Sequence, residues 1–370
     1  MNLNTCDKKW VEDFWAKFEK KHEKSAVTQF TNIPYTTDEN GKYDTTSPER
    51  LHWWTNGFFG GMMWLMYKET GKEVYRKTAE NHEKMLDEVI LHDFDNLDHD
   101  VGFIWHLTAK ADFDLTENKE SRNRALLAAA TLSARYNLRG NFIRAWNHDP
   151  SLTIIDTMMN LPLLYWASQQ KEDERFSYVA QAQADMTMRY HIRYDGSVAH
   201  IVQHCLDKDE KIQDFGGQGY AQGSAWTRGC SWAVYGFMLS YLYTKEAKYL
   251  EIAKRTADFF ADEVAKNNYK TPTDFNQPAE PAYIDNTAGV IASCGMIEIY
   301  KETKDEKYLN CAINILKALE EDCIFDDSCE SILQNGMESY KIGKEMHIVY
   351  GDFFLCEAIL KLKGSDYLIW

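Results

Sequence analysis

Apolar residues recur three and four positions apart along most of the chain, which is the spacing of one face of an α-helix. Segments with this pattern lie near residues 8–22, 57–70, 74–90, 120–136, 176–190, 226–244, 247–265, 284–302, 306–320 and 349–363. Two stretches, 225–243 and 288–300, are apolar on nearly every side, which is typical of helices buried on more than one face. The pattern predicts an all-α protein.

A weak internal repeat indicates how these helices are arranged. Tyr67-Lys68-Glu69-Thr70, Tyr300-Lys301-Glu302-Thr303 and the similar stretch 242–246 each end a hydrophobic helix in a short charged turn, after which an aromatic residue opens a more amphipathic helix. Neighbouring copies lie roughly 50–100 residues apart, which leaves room for about six helical hairpins. Such hairpins must stack to bury their apolar faces. A closed toroid of six inner and six outer helices fits, and an open solenoid is the alternative.

Composition and charge narrow the class of protein. The chain has 370 residues with a formal net charge of -16, and this acidic balance argues against nucleic acid and anionic membrane surfaces as partners. No apolar run approaches the ~20 residues of a membrane span, and the first residues lack the apolar stretch of a signal peptide. The eight cysteines form no Cys-x-x-Cys pair, so reduced thiols are expected and a zinc site is not. These features predict a cytoplasmic protein.

The first candidate for chemistry is Asp98-His99-Asp100-Val101-Gly102-Phe103, in one of several long loops rich in acidic and aromatic residues. Such loops usually build a site at one rim of a fold. A solvated acidic loop is one interpretation. A calcium loop is another, although the spacing of Asp93, Asp95, Asp98 and Asp100 lacks the glycine and terminal glutamate of an EF-hand. The apolar run at 101–107 favours a catalytic carboxylate, because it would draw the loop into the protein.

The second candidate is Asp156, the only charged residue between Asp149 and Lys171. Aspartate is a common helix N-cap, which is the alternative interpretation. However, Asn160 followed by Pro162 makes an equally good helix start. Asp156 would then lie in the preceding turn among apolar residues, where desolvation raises the pKa of a carboxyl group. A proton donor that works near neutral pH needs that environment.

The third candidate is the glycine-rich stretch 216–232, in which Trp226 and Trp232 flank Arg228. The glycines do not form a phosphate-binding pattern after a strand. The arginine needs a partner for its charge, and a ligand carboxylate would be a suitable bidentate one. Tryptophans elsewhere, at 53, 54, 105 and 146, lie near predicted helix ends or in loops, and aromatic faces of this kind stack on sugar rings. Neither Gly-x-Ser-x-Gly nor His-Glu-x-x-His occurs, so serine-nucleophile and metal chemistry lack a basis.

Several motifs occur together in a fixed order between about residue 50 and residue 355. They are Trp54-Thr55-Asn56-Gly57-Phe58, His99-Asp100-Val101-Gly102-Phe103, Arg144-Ala145-Trp146-Asn147, Ile155-Asp156-Thr157-Met158-Met159-Asn160, and Gly219-Tyr220 through Trp226-Thr227-Arg228-Gly229 with Trp232. In this combination they resemble the unsaturated glucuronyl hydrolases of glycoside hydrolase family 88. The related unsaturated rhamnogalacturonyl hydrolases share the barrel and the paired aspartates, and they are the alternative.

The resemblance implies a single (α/α)6 barrel over residues 1–370, acting without a metal or other cofactor. Its substrates would be the disaccharides that lyases leave from chondroitin, hyaluronan or heparin, which carry a 4,5-unsaturated uronic acid at the non-reducing end. Asp156 is similar to the family's general acid/base and Asp100 to its essential partner. The residues that resemble substrate contacts are Trp54, His99, Trp146, His200, Gly216, Gln218, Trp226, Arg228 and Trp232.

The implied reaction explains why two carboxylates suffice without a nucleophile. The C4=C5 bond belongs to an enol ether, so protonation at C4 leaves an oxocarbenium ion at C5. A neutral Asp156 would give that proton and then deprotonate the water that adds at C5, while an ionised Asp100 stabilises the cation. Two rivals are a sugar epimerase using His200 and His204, and a non-catalytic glycan-binding toroid, which has no use for a buried acid.

Some members of the family use a Ser-x-x-Ser-x-Lys segment to hold a sulfate on the leaving sugar. This chain has Ser339-Tyr340-Lys341-Ile342-Gly343-Lys344, so Ser339 and Lys344 match while Ile342 replaces the second serine. A polar turn before the last helix is the plainer interpretation. The resemblance predicts a weakened sulfate site rather than none.

Overall fold

The computed structural model describes residues 3–44 and 50–370, and α-helices form most of it. The helices are α1 Thr5–Thr28, α2 Asn56–Thr70, α3 Glu73–His92, α4 Val101–Trp105, α5 Ala111–Thr116, α6 Lys119–Ala134, α7 Leu161–Lys171, α8 Glu174–Tyr190, α9 Thr227–Thr244, α10 Ala247–Lys266, α11 Asn286–Thr303, α12 Glu306–Ala318 and α13 Val349–Lys363. A π-helical turn, His106–Lys110, joins α4 to α5, so the two form one continuous element.

The inner helices close into a ring. In the part of the chain that the structure describes, α2, α4, α7, α9, α11 and α13 each contact the next, and α13 returns to α2. Helices α3, α6, α8, α10 and α12 pack outside the inner helix that precedes each of them, and α1 packs against α13. The repeat is therefore confirmed as a closed (α/α)6 barrel, because an open solenoid would leave α2 and α13 apart.

The repeated motif marks the turn at which an inner helix ends. After α2, α9 and α11 the next residue, Gly71, Lys245 or Lys304, adopts a left-handed conformation with φ of 69°, 57° and 61°. Its backbone N–H donates to the carbonyl of a tyrosine four residues earlier, at 2.8, 2.7 and 2.8 Å. This hydrogen bond satisfies one of the carbonyl groups that a helix end leaves unpaired.

The helical pattern missed the short strands, of which the described residues contain seven: β1 Tyr136–Asn137, β2 Phe142–Ile143, β3 Leu152–Ile154, β4 Ile201–His204, β5 Lys211–Phe215, β6 Gly336–Met337 and β7 Glu345–Met346. The antiparallel sheet β3-β4-β5 pairs Ile154 with Ile201 and Ile201 with Phe215. This register brings the turn after β3, the start of β4 and the end of β5 to one edge. Within the described ranges, no helix is long and apolar enough to cross a bilayer.

The turn that follows β3 is held against an inner helix by close packing. Residues Ile155–Met159 form a 3₁₀ turn, and helix α9 passes directly beside it. A Cβ atom on Gly236 of α9 would lie 2.5 Å from Cβ of Met158, so only glycine allows this approach. The packing fixes the position of Asp156 relative to the barrel.

Candidate active site

A cavity of about 470 Å³ opens at the end of the barrel where the long loops meet. It is lined by His52, Trp53, Trp54, Asp95, Asn96, Asp98, His99, Asp100, Trp146, Asn147, His148, Ile154, Asp156, Gln218 and Arg228. Both aspartates of the sequence-based prediction therefore reach one cavity, together with five of the eleven predicted contact residues, namely Trp54, His99, Trp146, Gln218 and Arg228. A concave site with aromatic walls and a few convergent polar groups is typical of small-ligand binding.

Asp156 lies in the 3₁₀ turn between β3 and α7, and its side chain is 13% exposed. Burial raises the pKa of Asp156 from 3.8 to about 7, against the opposing effects of Arg228 and Trp232. The helix-cap interpretation of Asp156 is wrong, because α7 has Asn160 as its N-cap and Pro162 in its first turn. Burial therefore favours the protonated form of Asp156 up to about neutral pH, and no helix end requires a carboxyl group at this position.

His200 faces Asp156 across a short gap. Its Nε2 lies 3.7 Å from Asp156 Oδ1, and its Nδ1 accepts a hydrogen bond from the Gln218 backbone N–H at 3.0 Å. Burial lowers the pKa of His200 to about 3, so the ring is neutral and carries its single proton on Nε2. Within the described residues, neither His200 Nε2 nor Asp156 Oδ1 has a hydrogen-bond partner. Two buried polar atoms are thus directed at a space that a polar ligand could fill.

Asp100 stands at the start of α4 with its side chain 16% exposed. Its Oδ1 accepts from Asn160 Nδ2 at 3.3 Å. Burial and the charges of Asp98 and Asp156 raise the pKa of Asp100, while Asn160 and Arg135 lower it. Burial thus favours the protonated form of both carboxyls, and it does not by itself produce the expected pair of one neutral and one ionised group.

Arg228 does have a partner, but it is not the ligand carboxylate that the sequence suggested. Its Nη1 donates to Asp285 Oδ2 at 2.5 Å and to the Met337 carbonyl, and its Nη2 donates to the Glu338 carbonyl at 2.8 Å. The guanidinium carbon lies 4.4 Å from the centroid of the Trp226 ring. The expected ligand carboxylate is therefore replaced by Asp285, a partner that the sequence could not reveal because it lies 57 residues from Arg228. The arginine still lines the cavity as a fixed positive group.

The tryptophans divide into two groups. Trp54 and Trp146 line the cavity as predicted. Trp105 is buried in α4, so the suggestion that it binds sugar is wrong. Trp226 and Trp232 are also buried. The Trp226 ring packs against the His200 ring at a centroid distance of 4.0 Å, and Trp232 packs among core aromatic rings. Neither is among the residues that line the cavity, and their direct contact with a sugar stays a prediction.

Gln218 connects the cavity to the segment of the expected sulfate site. The side-chain Nε2 of Gln218 donates to the backbone carbonyl of Glu338 at 2.7 Å, and the backbone carbonyl of Gln218 accepts from the Tyr340 N–H at 2.9 Å. Ser339 is therefore held half-buried beside Gln218, and Lys344 is exposed. The Gly216 carbonyl lies 3.3 Å from His200 Nδ1, so this glycine contacts the histidine through its backbone.

The acidic loop is not freely solvated, because its side chains contact the protein. His99 Nδ1 lies 3.1 Å from Thr157 Oγ1, and Asp98 Oδ1 accepts from the Asp100 N–H at 2.9 Å. Asp98, His99 and Asp100 bring possible ligand atoms within 4.8 Å of one another, but His99 Nδ1 and Asp98 Oδ1 already contact protein groups. We assign no metal site there.

The histidine pair that the sequence suggested for an epimerase, His200 and His204, does not meet in this cavity. His204 Nε2 lies 2.8 Å from Thr153 Oγ1, and the His204 ring stacks on Phe142 at 4.8 Å. Its neighbour in this network is the buried His191, whose Nε2 lies 2.9 Å from the same hydroxyl. His204 therefore belongs to the packing behind the sheet, and only His200 reaches Asp156.

Comparison with known proteins places this barrel among the glycoside hydrolases. No protein-family model matches the chain. The unsaturated glucuronyl hydrolase of Bacillus sp. strain GL1 is 33% identical over 361 residues, covering 91% of this chain and 93% of that protein. Its crystal structure, described as responsible for the degradation of glycosaminoglycan, matches with a TM-score of 0.86 and 31% identity over 94% of each chain. The unsaturated chondroitin disaccharide hydrolase of Streptococcus pyogenes serotype M1 is 30% identical over 322 residues, covering 83% of this chain and 80% of that protein.

The (α/α)6 barrel and these relatives define an enzyme of the glycoside hydrolase class. Within that class, the chain belongs to the unsaturated glucuronyl hydrolases of family 88.

Proposed function

We propose that this enzyme removes the 4,5-unsaturated uronic acid from the non-reducing end of disaccharides that lyases release from glycosaminoglycans, with residues 1–370 as one catalytic domain. The observation that carries the proposal is the pair of buried polar atoms Asp156 Oδ1 and His200 Nε2, which lie 3.7 Å apart without a hydrogen-bond partner in the described residues. Asp156 lines the same cavity as Asp100. The names of the Bacillus and Streptococcus relatives support this class of substrate.

In the proposed reaction, protonated Asp156 gives its proton to C4, and the electrons of the C4=C5 bond form the new C4–H bond. The positive charge is then shared by C5 and the ring oxygen, and Asp100 as a carboxylate stabilises it. Asp156, now ionised, takes a proton from the water that adds at C5. The resulting hemiketal opens to a ketone and a C1 hemiacetal, which expels the leaving sugar as an alcohol. One water is consumed, and no bond to the enzyme forms.

The positive charge of the intermediate explains how Asp100 can act as an anion despite its burial. A cation within a few ångströms of a carboxyl favours its ionised form, which counteracts burial and the charges of Asp98 and Asp156. His200 supplies its Nε2–H as a donor to the substrate or to the attacking water.

The test is incubation with unsaturated chondroitin and heparin disaccharides, following the loss of absorbance of the conjugated double bond. A rhamnogalacturonan-derived unsaturated disaccharide serves as comparison, and preference for it would favour the alternative hydrolase. Reaction in D₂O should place one deuterium at C4, seen by mass spectrometry at early times. Product formed in H₂O and then kept in D₂O for the same time is the control, because C4 lies beside the new C5 ketone and its hydrogens can exchange. Absence of deuterium at C4 would refute hydration and favour attack at C1.

Asp156→Asn and Asp100→Asn should each lower kcat by ~10²–10⁴ or more, whereas Asp207→Asn, at an exposed site, should not.

We further propose that Ser339 and Lys344 contact a sulfate on the leaving sugar. The support is the attachment of this segment to Gln218 in the cavity wall, and the absence of any ion pair on Lys344 within the described residues. The sulfated chondroitin disaccharide should then be the better substrate by several-fold. Lys344→Ala should raise KM for that substrate alone, with Lys266→Ala on an outer helix as the control. Equal effects on sulfated and unsulfated substrates would contradict the sulfate contact.

A further inference from the structure

A second cleft of about 450 Å³ adjoins the candidate active site. Its lining residues are Phe94, Asp95, Leu97, Thr131, Ala134, Arg135, Tyr136, Arg144, Trp146, Asn147 and Pro150. Asp95, Trp146 and Asn147 line both the cleft and the cavity around Asp156. The two spaces therefore share one wall, and a ligand longer than a disaccharide could occupy both.

The second cleft is lined by two guanidinium groups and by the carboxylate of Asp95, and the charges of Asp98 and Asp100 also act on Arg135. In the described part of the chain, neither Arg135 nor Arg144 forms an ion pair. Arg135 is held rigidly by the backbone carbonyls of Leu97, Arg144 and Ala145, at 3.0–3.1 Å, and by Asn147 Oδ1 at 2.7 Å. Arg144 follows β2 and is exposed. In a chain with a net charge of -16, two such groups in one cleft favour an anionic ligand.

Aromatic side chains indicate what carries the negative charge. Phe94 is 65% exposed at this cleft, and Tyr136 and Trp146 are half-buried in its wall. Flat rings beside guanidinium groups suit a sugar that presents an apolar face for stacking and a carboxylate or sulfate for a bidentate contact.

We propose that the second cleft is a subsite for an anionic sugar in the leaving part of longer unsaturated oligosaccharides, with Arg144 contacting its carboxylate or sulfate and Arg135 fixed behind it. The assignment rests on the proposed function. It is compatible with the sulfate contact at Ser339 and Lys344, since a sulfate group and the carbon that continues the chain lie on different edges of a sugar ring. One leaving sugar can therefore direct its sulfate to one wall and the rest of the oligosaccharide to the other.

The test compares an unsaturated chondroitin sulfate tetrasaccharide with the corresponding disaccharide. Arg144→Ala should lower kcat/KM about fivefold to tenfold for the tetrasaccharide, the size expected when a partly exposed charge-assisted contact is lost. The disaccharide should change by less than about twofold. The control is Arg139→Ala, an exposed arginine of the same hairpin that pairs with Asp207 at 3.6 Å, and it should alter neither substrate. Equal effects of Arg144→Ala on both substrates, or none on either, would overturn the subsite.

A binding measurement separates failure of the subsite from failure of the proposed function. Calorimetry with a saturated chondroitin sulfate tetrasaccharide, which cannot undergo the reaction, should show weaker binding to Arg144→Ala than to the wild type and no change for Arg139→Ala. If no unsaturated substrate is turned over, the proposed function fails while this result still tests the cleft. Binding that is independent of Arg144 overturns the subsite even if turnover is found.

An independent observation concerns Asn160, which the sequence suggested only as a helix start. Its buried side chain accepts the Phe103 N–H at 2.8 Å through Oδ1, and its Nδ2 donates to Asp100 Oδ1 at 3.3 Å and to the Asp156 carbonyl at 3.4 Å. A Cβ on Gly102 would lie 2.6 Å from Asn160 Oδ1, so a glycine is needed for this contact. One amide thus links the segments that carry the two aspartates.

We infer that Asn160 is a positioning residue that sets the two carboxyls relative to each other and, by donating to Asp100, favours negative charge there while Asp156 keeps the proton. The other groups that act on Asp100 are the like charges of Asp98 and Asp156 and the positive charge of Arg135. His99, whose Nδ1 lies 3.4 Å from Asp100 Oδ1, is neutral because burial lowers its pKa to about 3.

Asn160→Ala should lower kcat at least tenfold with KM within about threefold, and it should move the acid limb of the kcat/KM profile up by about one pH unit, since Asp100 loses a donor. Asn160→Ser keeps a donor on a shorter side chain, so its kcat and the position of its acid limb should lie between those of Asn160→Ala and the wild type. The control is Asn118→Ala, because Asn118 also donates to a buried carboxylate, Asp112 at 2.8 Å, but far from this cavity. It should lower Tm without moving the profile. An unmoved profile in Asn160→Ala would reduce Asn160 to a structural role.

Discussion

Asp156→Asn should abolish turnover and, at the same time, make the folded protein more stable above neutral pH. Burial raises the pKa of Asp156 from 3.8 to about 7. Between those values the folded protein holds a proton that the unfolded chain has released, so the stability of the wild type falls as the pH rises. A shift of three pKa units corresponds to a loss of at most roughly 4 kcal/mol in the free energy of unfolding. The loss is complete above pH 7 and absent below pH 3.8. The amide of asparagine does not ionise, so the stability of Asp156→Asn does not fall with pH in this way.

Denaturant unfolding of wild type and variant at pH 5 and pH 8 measures the effect. From pH 5 to pH 8, the free energy of unfolding of Asp156→Asn should increase relative to that of the wild type by about 2–3 kcal/mol. The change is smaller than the full value of roughly 4 kcal/mol because the wild type has already lost part of its stability by pH 5. Any fixed effect of replacing a carboxyl with an amide cancels in this comparison. Asp207→Asn, whose side chain is 80% exposed, should show a difference that does not vary with pH. If Asp156→Asn behaved in the same way, Asp156 would titrate as an exposed carboxyl, and its assignment as a proton donor at neutral pH would fail.

Three further outcomes are expected. Gly217→Ala should lower kcat/KM at least tenfold, because a Cβ there would lie 2.1 Å from His200 Nδ1 at a backbone φ of +56°; wild-type kinetics would show that His200 need not be fixed. Asp285→Ala should lower stability by about 3–5 kcal/mol, read from denaturant unfolding, since it leaves the buried charge of Arg228 unpaired; a small loss would mean that Arg228 finds another partner. Dialysis against EDTA should leave kcat unchanged, and loss of activity restored by Ca²⁺ would revive the calcium interpretation of the acidic loop.

The helical part of the fold was largely predictable because its signals are local. The spacing of apolar residues identified most of the outer and inner helices, and the charged turns after Tyr67 and Tyr300 identified where hairpins bend. Helix α4 and the π-helical turn after it escaped prediction because all of residues 101–110 are buried, so they have no solvent-facing polar side. Most of the short strands escaped because two or three residues are too few to display an alternating pattern, and β4 and β5 have only four and five residues.

The candidate site was predictable where its residues are unusual in their own segment. Asp156 is isolated among apolar neighbours, and that environment alone suggested a raised pKa, whose direction the structure supports. Arg228 could not be interpreted in the same way, because Asp285 neutralises it from another helical hairpin. Asn160 was seen only as a local helix start, since its bond to Asp100 joins residues 60 positions apart.

The sequence by itself determined that the chain builds stacked helical hairpins and that a buried carboxyl precedes one of them, because periodicity, turn residues and local polarity act over a few neighbouring residues. Only the tertiary structure decided which groups meet: Asp156 with His200 at the edge of a small sheet, Arg228 with Asp285, and Trp146 between two clefts. The physical reason is that ionisation and hydrogen bonding depend on distances of a few ångströms between side chains, and closure of the barrel sets those distances for residues far apart in the chain.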